Sequence, residues 1–168
     1  AGQGADLDRL GNCIRSGLEG FRTKTPRRKV GEMDLDELAR ICVDRGFRLH
    51  RDLGPGLLEN VYEALLFEGL RRRGLQVSRQ QPVHVEHDGI IIENGFRFDL
   101  LVEDKLLIEI KSTERHAPVH AKQLLTYLRL MDLRLGLLMN FGLATFKEGT
   151  RRLVNDYVPA STAPTFAP

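Results

Sequence analysis

Two short apolar runs in this chain carry charges where further hydrophobic residues would be expected. Phe98-Asp99-Leu100-Leu101-Val102 and Leu106-Leu107-Ile108-Glu109-Ile110-Lys111 flank the polar triplet Glu103-Asp104-Lys105. Apolar runs of this length around a short polar break read as a β-hairpin. A three-residue connection pairs Val102 with Leu106, Leu100 with Ile108 and Phe98 with Ile110. The same register sets Asp99 opposite Glu109 and Arg97 opposite Lys111. A slip of one residue would put Phe98 and Leu100 on the face of Glu109 and Lys111, so matching the apolar faces fixes the pairing. Side chains opposite one another in such a pair have Cβ atoms roughly 5 Å apart. Two carboxylates at that separation repel unless a cation or a shared proton lies between them.

Oxygen donors on a sheet face suit Mg²⁺ or Mn²⁺ better than zinc, which prefers nitrogen and sulfur. Asp99 and Glu109 are the candidate metal ligands, and the main-chain carbonyl of Ile110, between Glu109 and Lys111, is a candidate third. Lys111 is placed to hold or help deprotonate a water on the ion. A divalent ion lowers the pKa of its water and stabilises charge on a phosphoryl oxygen, which equips a site to hydrolyse a phosphodiester. The competing reading is a solvated edge hairpin, since such edges often carry Lys and Glu against aggregation. The hairpin alone leaves both readings open.

The elements that must position these residues follow from periodicity and turn signals. Leu35, Leu38, Ile41, Cys42 and Leu49 fall on one helical face, and Gly54-Pro55-Gly56 stops that helix. A second helix is expected from about Leu57 to Arg73, ending at Gly74. Strands are expected near Val83–His87, Ile90–Ile92, Phe96–Val102 and Leu106–Lys111, with Asp88-Gly89 and Asn94-Gly95 as tight turns. Pro118 opens a third helix through Met131, and the apolar run Leu135–Asn140 suits a central strand. Glu148-Gly149 marks a further turn, and Arg151–Val154 an edge strand. A strand that follows a helix can return parallel to the sheet centre. The expected fold is α/β, a mixed central sheet flanked by helices.

The bulk of the chain is that of a globular protein with one domain and a modest core. A formal charge of +2 from 25 basic and 23 acidic side chains is far from that of a histone-like binder. Local patches still matter more than the total, and Arg27-Arg28-Lys29, Arg71-Arg72-Arg73 and Arg151-Arg152 read singly as solvated surface. Cys13 and Cys42 show neither metal-ligand spacing nor a disulfide framework. With no membrane-span run and no apolar leader, the expected location is the cytoplasm. Residues 1–33 are expected to form an amphipathic helix over Asp6–Arg22 and a basic linker. That helix packs on the main domain or serves a partner interface, a homodimer included. The domain proper is expected over residues 34–157, and 158–168 as a disordered Pro-rich tail.

Gly54-Pro55-Gly56 lacks the Lys-Ser/Thr ending of a phosphate loop and is read as a helix break. His116 and His120 are spaced i, i+4, but Pro118 between them argues against a shared helical metal site. No Ser-His-Asp or Cys-His constellation can be read from the sequence.

Asp99-x(9)-Glu109-x-Lys111 on a hairpin, followed by a helix containing Gln123, resembles the PD-(D/E)xK nuclease superfamily. Leu53-Gly54-Pro55-Gly56-Leu57-Leu58-Glu59-Asn60-Val61-Tyr62 resembles the signature of the GxxExxY protein family, with Gly56, Glu59 and Tyr62 at its named positions. The likeness continues through Arg97–Val102, Glu109–Lys111, Pro118–His120, Gln123–Leu128 and Leu135–Phe141, covering roughly residues 35 to 155. It implies a restriction-endonuclease-like αβββαβ core, a Mg²⁺-dependent nuclease activity and a nucleic-acid substrate, DNA first. By the same resemblance the acidic pair binds metal, Lys111 serves the attacking water, Glu59 lends a third acid from the helix, and Gln123 lends a polar group. Glu59 alone also reads as a first-turn acid favoured by the helix dipole. Tyr62, three residues after Glu59 on the same face, reads as a contact of the acid or of a phosphate and equally as a core residue, and His50 and His120 are ordinary histidines unless they approach the site. Two alternatives stay open beside the enzyme: a non-catalytic nucleic-acid-binding module and a protein-interaction domain on the same fold.

Overall fold

The computed structural model of the chain describes residues 33–155. The expected N-terminal helix, its basic linker and the Pro-rich tail lie outside them.

The first helix, α1 (Leu35–Leu53), carries Asp36 and Glu37 in its first turn and His50 and Arg51 in its last. Both placements complement the helix dipole. Its apolar stripe buries Leu38, Ala39, Cys42 and Leu49, and burial pushes the Cys42 thiol up to about 12. Gly54 caps the helix with φ 72°, its amide donating to the His50 carbonyl at 2.8 Å. The next helix, α2 (Glu59–Arg71), buries Tyr62, Leu66 and Leu70. There follow β1 (Val77–Arg79), β2 (Pro82–His87), β3 (Ile90–Arg97), β4 (Leu100–Val102) and β5 (Leu106–Lys111). The chain ends its described part with α3 (Pro118–Leu130), β6 (Leu135–Asn140), α4 (Phe146–Gly149) and β7 (Thr150–Val154).

Five strands form one sheet in the order β1-β4-β5-β6-β7. β5 and β6 run parallel through the α3 crossover, and the remaining pairs are antiparallel. β5 and β6 are therefore central, and β6 is buried along its whole length. That explains its unbroken apolar run, since both faces are covered. Leu106, Ile108 and Ile110 pack with α1 and α2 on one face, while Leu107 packs with Leu124 and Leu128 of α3 on the other. The α2-β1-β4-β5-α3-β6 succession is the expected αβββαβ core. No helix among the described residues is long and apolar enough to cross a membrane.

The strands differ from the expected ones. β1, only three residues long, is not among those expected, because Val77–Arg79 has no apolar alternation to betray it. β2 and β3 are not members of the main sheet but a separate two-stranded ribbon. Asn94-Gly95 is not a turn; it lies within β3, where the register shifts between Val83↔Phe96 and Val85↔Ile92. Asp88-Gly89, by contrast, makes the ribbon's turn, with φ of 50° and 75°, the backbone a two-residue hairpin requires.

Gly149 ends α4 where the chain crosses the main chain of β6. A Cβ there would lie 2.0 Å from the Asn140 carbonyl oxygen, a backbone atom that cannot swing aside. Gly149→Ala is expected to destabilise the fold by about 2 kcal/mol or more, read as a fall of roughly 5–10 °C in melting temperature. An unchanged melting temperature would contradict the packing described.

Candidate active site

The β4–β5 ladder runs Val102↔Leu106, Leu101↔Leu107, Leu100↔Ile108 and stops there. Up to this point the register is the one the sequence dictates. Beyond it the expectation fails. Phe98 packs on the α3 side of the sheet and Ile110 on the α1–α2 side, so they are not a cross-strand pair. Arg97 does not face Lys111; it closes β3 opposite Pro82. The chain bends at Phe98-Asp99 because it is leaving the ribbon to enter the sheet. The amide of Ile110 thereby loses its main-chain acceptor, and the Asp99 side chain supplies one: Ile110 N donates to Asp99 Oδ2 at 2.7 Å.

Strand alternation puts Glu109 and Lys111 on the face of Leu107. Glu109 is only 3% exposed. Its Oε1 accepts from Lys111 Nζ at 2.8 Å. Its Oε2 is buried and has no hydrogen-bond partner, a costly state for a carboxylate oxygen. Burial, and then the charge of Asp99, push the Glu109 carboxyl up to about 7. Burial also raises Asp99, against the opposing pull of the Ile110 amide and Lys111. For Lys111 burial works downward, but the bond to Glu109 and the charges of Glu109, Glu59 and Asp99 outweigh it and hold the amine above its ordinary range.

Glu59 enters from α2, its Oε1 3.9 Å from Lys111 Nζ. The turn before that helix is fixed from three directions. Gly56 takes φ 115°, which a side chain would oppose. The Tyr62 hydroxyl donates to Gly54 O at 2.6 Å and accepts from Leu57 N at 3.2 Å. Ser112, just past β5, donates to Leu57 O at 2.7 Å. The Tyr62 ring stacks on Phe141, with centroids 4.4 Å apart. Tyr62 is thus a core residue that holds the Glu59 turn, not a contact of the acids. Asn140 anchors the other side, accepting from Thr113 N at 3.0 Å and Gly142 N at 3.1 Å.

Three residues that sequence reasoning missed complete the surroundings. Glu63 is buried on α2, and its carboxylate accepts from Arg79 Nε and, at 2.7 Å, from Gln80 Nε2. The same Gln80 nitrogen donates to Asp99 Oδ1 at 3.1 Å. Glu63 carried a usable signal: it lies three residues before Leu66 and seven before Leu70, on the apolar stripe, where a charge needs a partner. Gln80 carried none.

Of the other expected residues, Gln123 donates to the Tyr127 hydroxyl at 2.7 Å, and that ring stacks on Phe96. His50 is a buried structural histidine, its Nε2 2.8 Å from Leu143 O. His116 Nε2 lies 2.6 Å from Glu148 O. His120 is held below its ordinary range by burial and then by Lys111.

Among the described residues no three Asp, Glu, His or Cys side chains already converge as a metal cage. Asp99 and Glu109 are oxygen donors of the kind a hard divalent ion takes. The unpartnered Glu109 Oε2 is the donor such an ion would satisfy.

The Glu109 shift has a defined consequence in chelator. A folded pKa of about 7 against an ordinary 4.5 means the folded state holds this proton more tightly. Stability is therefore full below about pH 4.5 and falls as the pH rises to about 7, by about 3 kcal/mol. The Asp99 shift has the same sign. Denaturant unfolding from pH 4.5 to 8 is expected to show the decline, and Glu109→Gln to flatten it; a flat wild-type profile would contradict the burial.

The sequence profile of the PD-(D/E)XK nuclease superfamily matches residues 36–153. Comparison with curated proteins and with solved structures gave no match. The matched span takes in β1, β4, β5, β6 and all but the last residue of β7, with both helices that flank the sheet's acidic end, and the architecture agrees with a restriction-endonuclease-like fold. The chain belongs to the PD-(D/E)XK nuclease superfamily.

Proposed function

We propose that the chain is a metal-dependent phosphodiesterase acting on DNA, with Asp99, Glu109 and the carbonyl of Ile110 holding Mg²⁺ or Mn²⁺. The observation that supports this most is the buried, unpartnered Glu109 Oε2 beside a carboxylate-bound Lys111. A solvated edge hairpin offers no reason to bury two acids and a lysine together. The Ile110 amide turns toward Asp99 rather than β6, and in a strand the carbonyl of the same residue turns with it. All three donors are hard oxygens.

A divalent ion there supplies Lewis acidity and stabilises charge on a phosphoryl oxygen. The chain's own residues do the rest. Lys111 holds the attacking water and aligns it with the phosphorus. Glu59, on the open side of Lys111, keeps that ammonium charged and in place. Gln123 reaches substrate by exchanging its bond to Tyr127. The narrower GxxExxY assignment rests on the Gly56, Glu59 and Tyr62 spacing, and each of these residues has a physical task in the turn that presents Glu59.

The test is cleavage of plasmid DNA and of matched RNA with Mg²⁺ or Mn²⁺. We expect DNA cleavage, abolished by chelator and reduced at least ~100-fold in Glu109→Ala and in Lys111→Ala. Folded wild-type protein that cleaves neither polymer would overturn the enzymatic reading. Salt-sensitive DNA binding without cleavage, surviving Glu109→Ala, would assign a binding module instead.

A further inference from the structure

Asp99 is held at both ends. Oδ2 receives the Ile110 amide at 2.7 Å and Oδ1 receives Gln80 Nε2 at 3.1 Å. Gln80 also binds the Asp99 main chain, its amide donating to Asp99 O at 3.0 Å. To do so Gln80 adopts φ 51°, the left-handed region, which is unfavourable for a residue with a Cβ and persists only where the surroundings impose it. The side chain of Gln80 cannot be turned over: it faces Glu63 Oε2 at 2.7 Å as well as Asp99, and ionised carboxylates only accept, so the NH₂ side must face them. Glu63 is locked in turn, because its other oxygen accepts from Arg79. Both oxygens of Glu63 are thus engaged, and Gln80 stands between it and Asp99 in this chain of contacts.

We infer that Gln80 is a positioning residue that fixes the plane of the Asp99 carboxylate, and that Glu63 acts through Gln80 rather than as a metal ligand. The inference rests on the metal reading given above. Hydrogen bonds that orient a ligating carboxylate typically change metal affinity 10–100-fold when removed.

The test is calorimetric titration of Mn²⁺ into the full chain without substrate, with melting temperature as the folding control. Gln80→Asn keeps a residue that tolerates the left-handed backbone but lacks the reach; Gln80→Ala removes the amide altogether. Both are expected to weaken Mn²⁺ binding roughly 10–100-fold while the protein stays folded. Glu63→Gln is expected to weaken it by no more than Gln80→Ala does, and to add nothing in the Gln80→Ala background. Wild-type binding that is lost in Glu109→Ala yet unchanged in both Gln80 variants would overturn the positioning role and leave the metal site standing. Loss of binding in Glu63→Gln as complete as in Glu109→Ala would make Glu63 a ligand and overturn its assignment. No Mn²⁺ binding by the wild type would overturn the metal site itself, and this inference with it.

Discussion

The hydrogen of the Ile110 amide goes to a side chain where a sheet would normally offer a main-chain carbonyl. That exchange, Ile110 N to Asp99 Oδ2 at 2.7 Å, holds the acidic end of the fold together. β4 is only three residues long, and its ladder with β5 ends at Leu100↔Ile108. Without a substitute acceptor the next inward-facing amide of a central strand would be buried and unpaired, at a cost of about 1–3 kcal/mol. Asp99 removes that cost, and in doing so brings a carboxylate alongside Glu109. One residue therefore completes a sheet and builds a site.

The electrostatics of that site are unfavourable by design of the fold. Asp99, Glu109, Glu59 and Glu63 meet Lys111 and Arg79, and Arg79 is committed to Glu63. Glu109 bears most of the imbalance, because it is the most buried and has one oxygen with no donor. The neutral amide of Gln80 separates Asp99 from Glu63 without adding charge. Strain in the Gln80 backbone and the raised Glu109 carboxyl both give up stability, and both lie beside Asp99. Concentration of such costs at one point is expected at sites that act on something.

Much of this arrangement was legible in the sequence, and the parts that were not share a cause. The Val102–Leu106 turn, the parallel return to β6 and the convergence of Asp99, Glu109 and Lys111 followed from apolar alternation and turn residues. Asp99 departs from the expectation in detail: alternation makes it a strand residue facing Glu109 across a ladder, and it is a bend residue capping the ladder's end. Alternation could not show this, because the bend is set by where β3 comes from, a long-range fact. Gly56, Glu59 and Tyr62 are visible as a spacing, but the Tyr62 hydroxyl bonds that explain it exist only once the turn is folded. Gln80 was illegible because its role depends on a left-handed backbone between two three-dimensional partners. Glu63 is legible in principle, as an acid on an apolar stripe.

The most direct measurement of the central claim is anomalous diffraction from crystals of the chain grown with Mn²⁺. The account predicts one strong anomalous peak within bonding distance of an Asp99 carboxylate oxygen and of Glu109 Oε2, beside the Ile110 carbonyl. Ordered crystals with no peak there, or with the ion bound elsewhere while Glu109 Oε2 stays unpartnered, would contradict it.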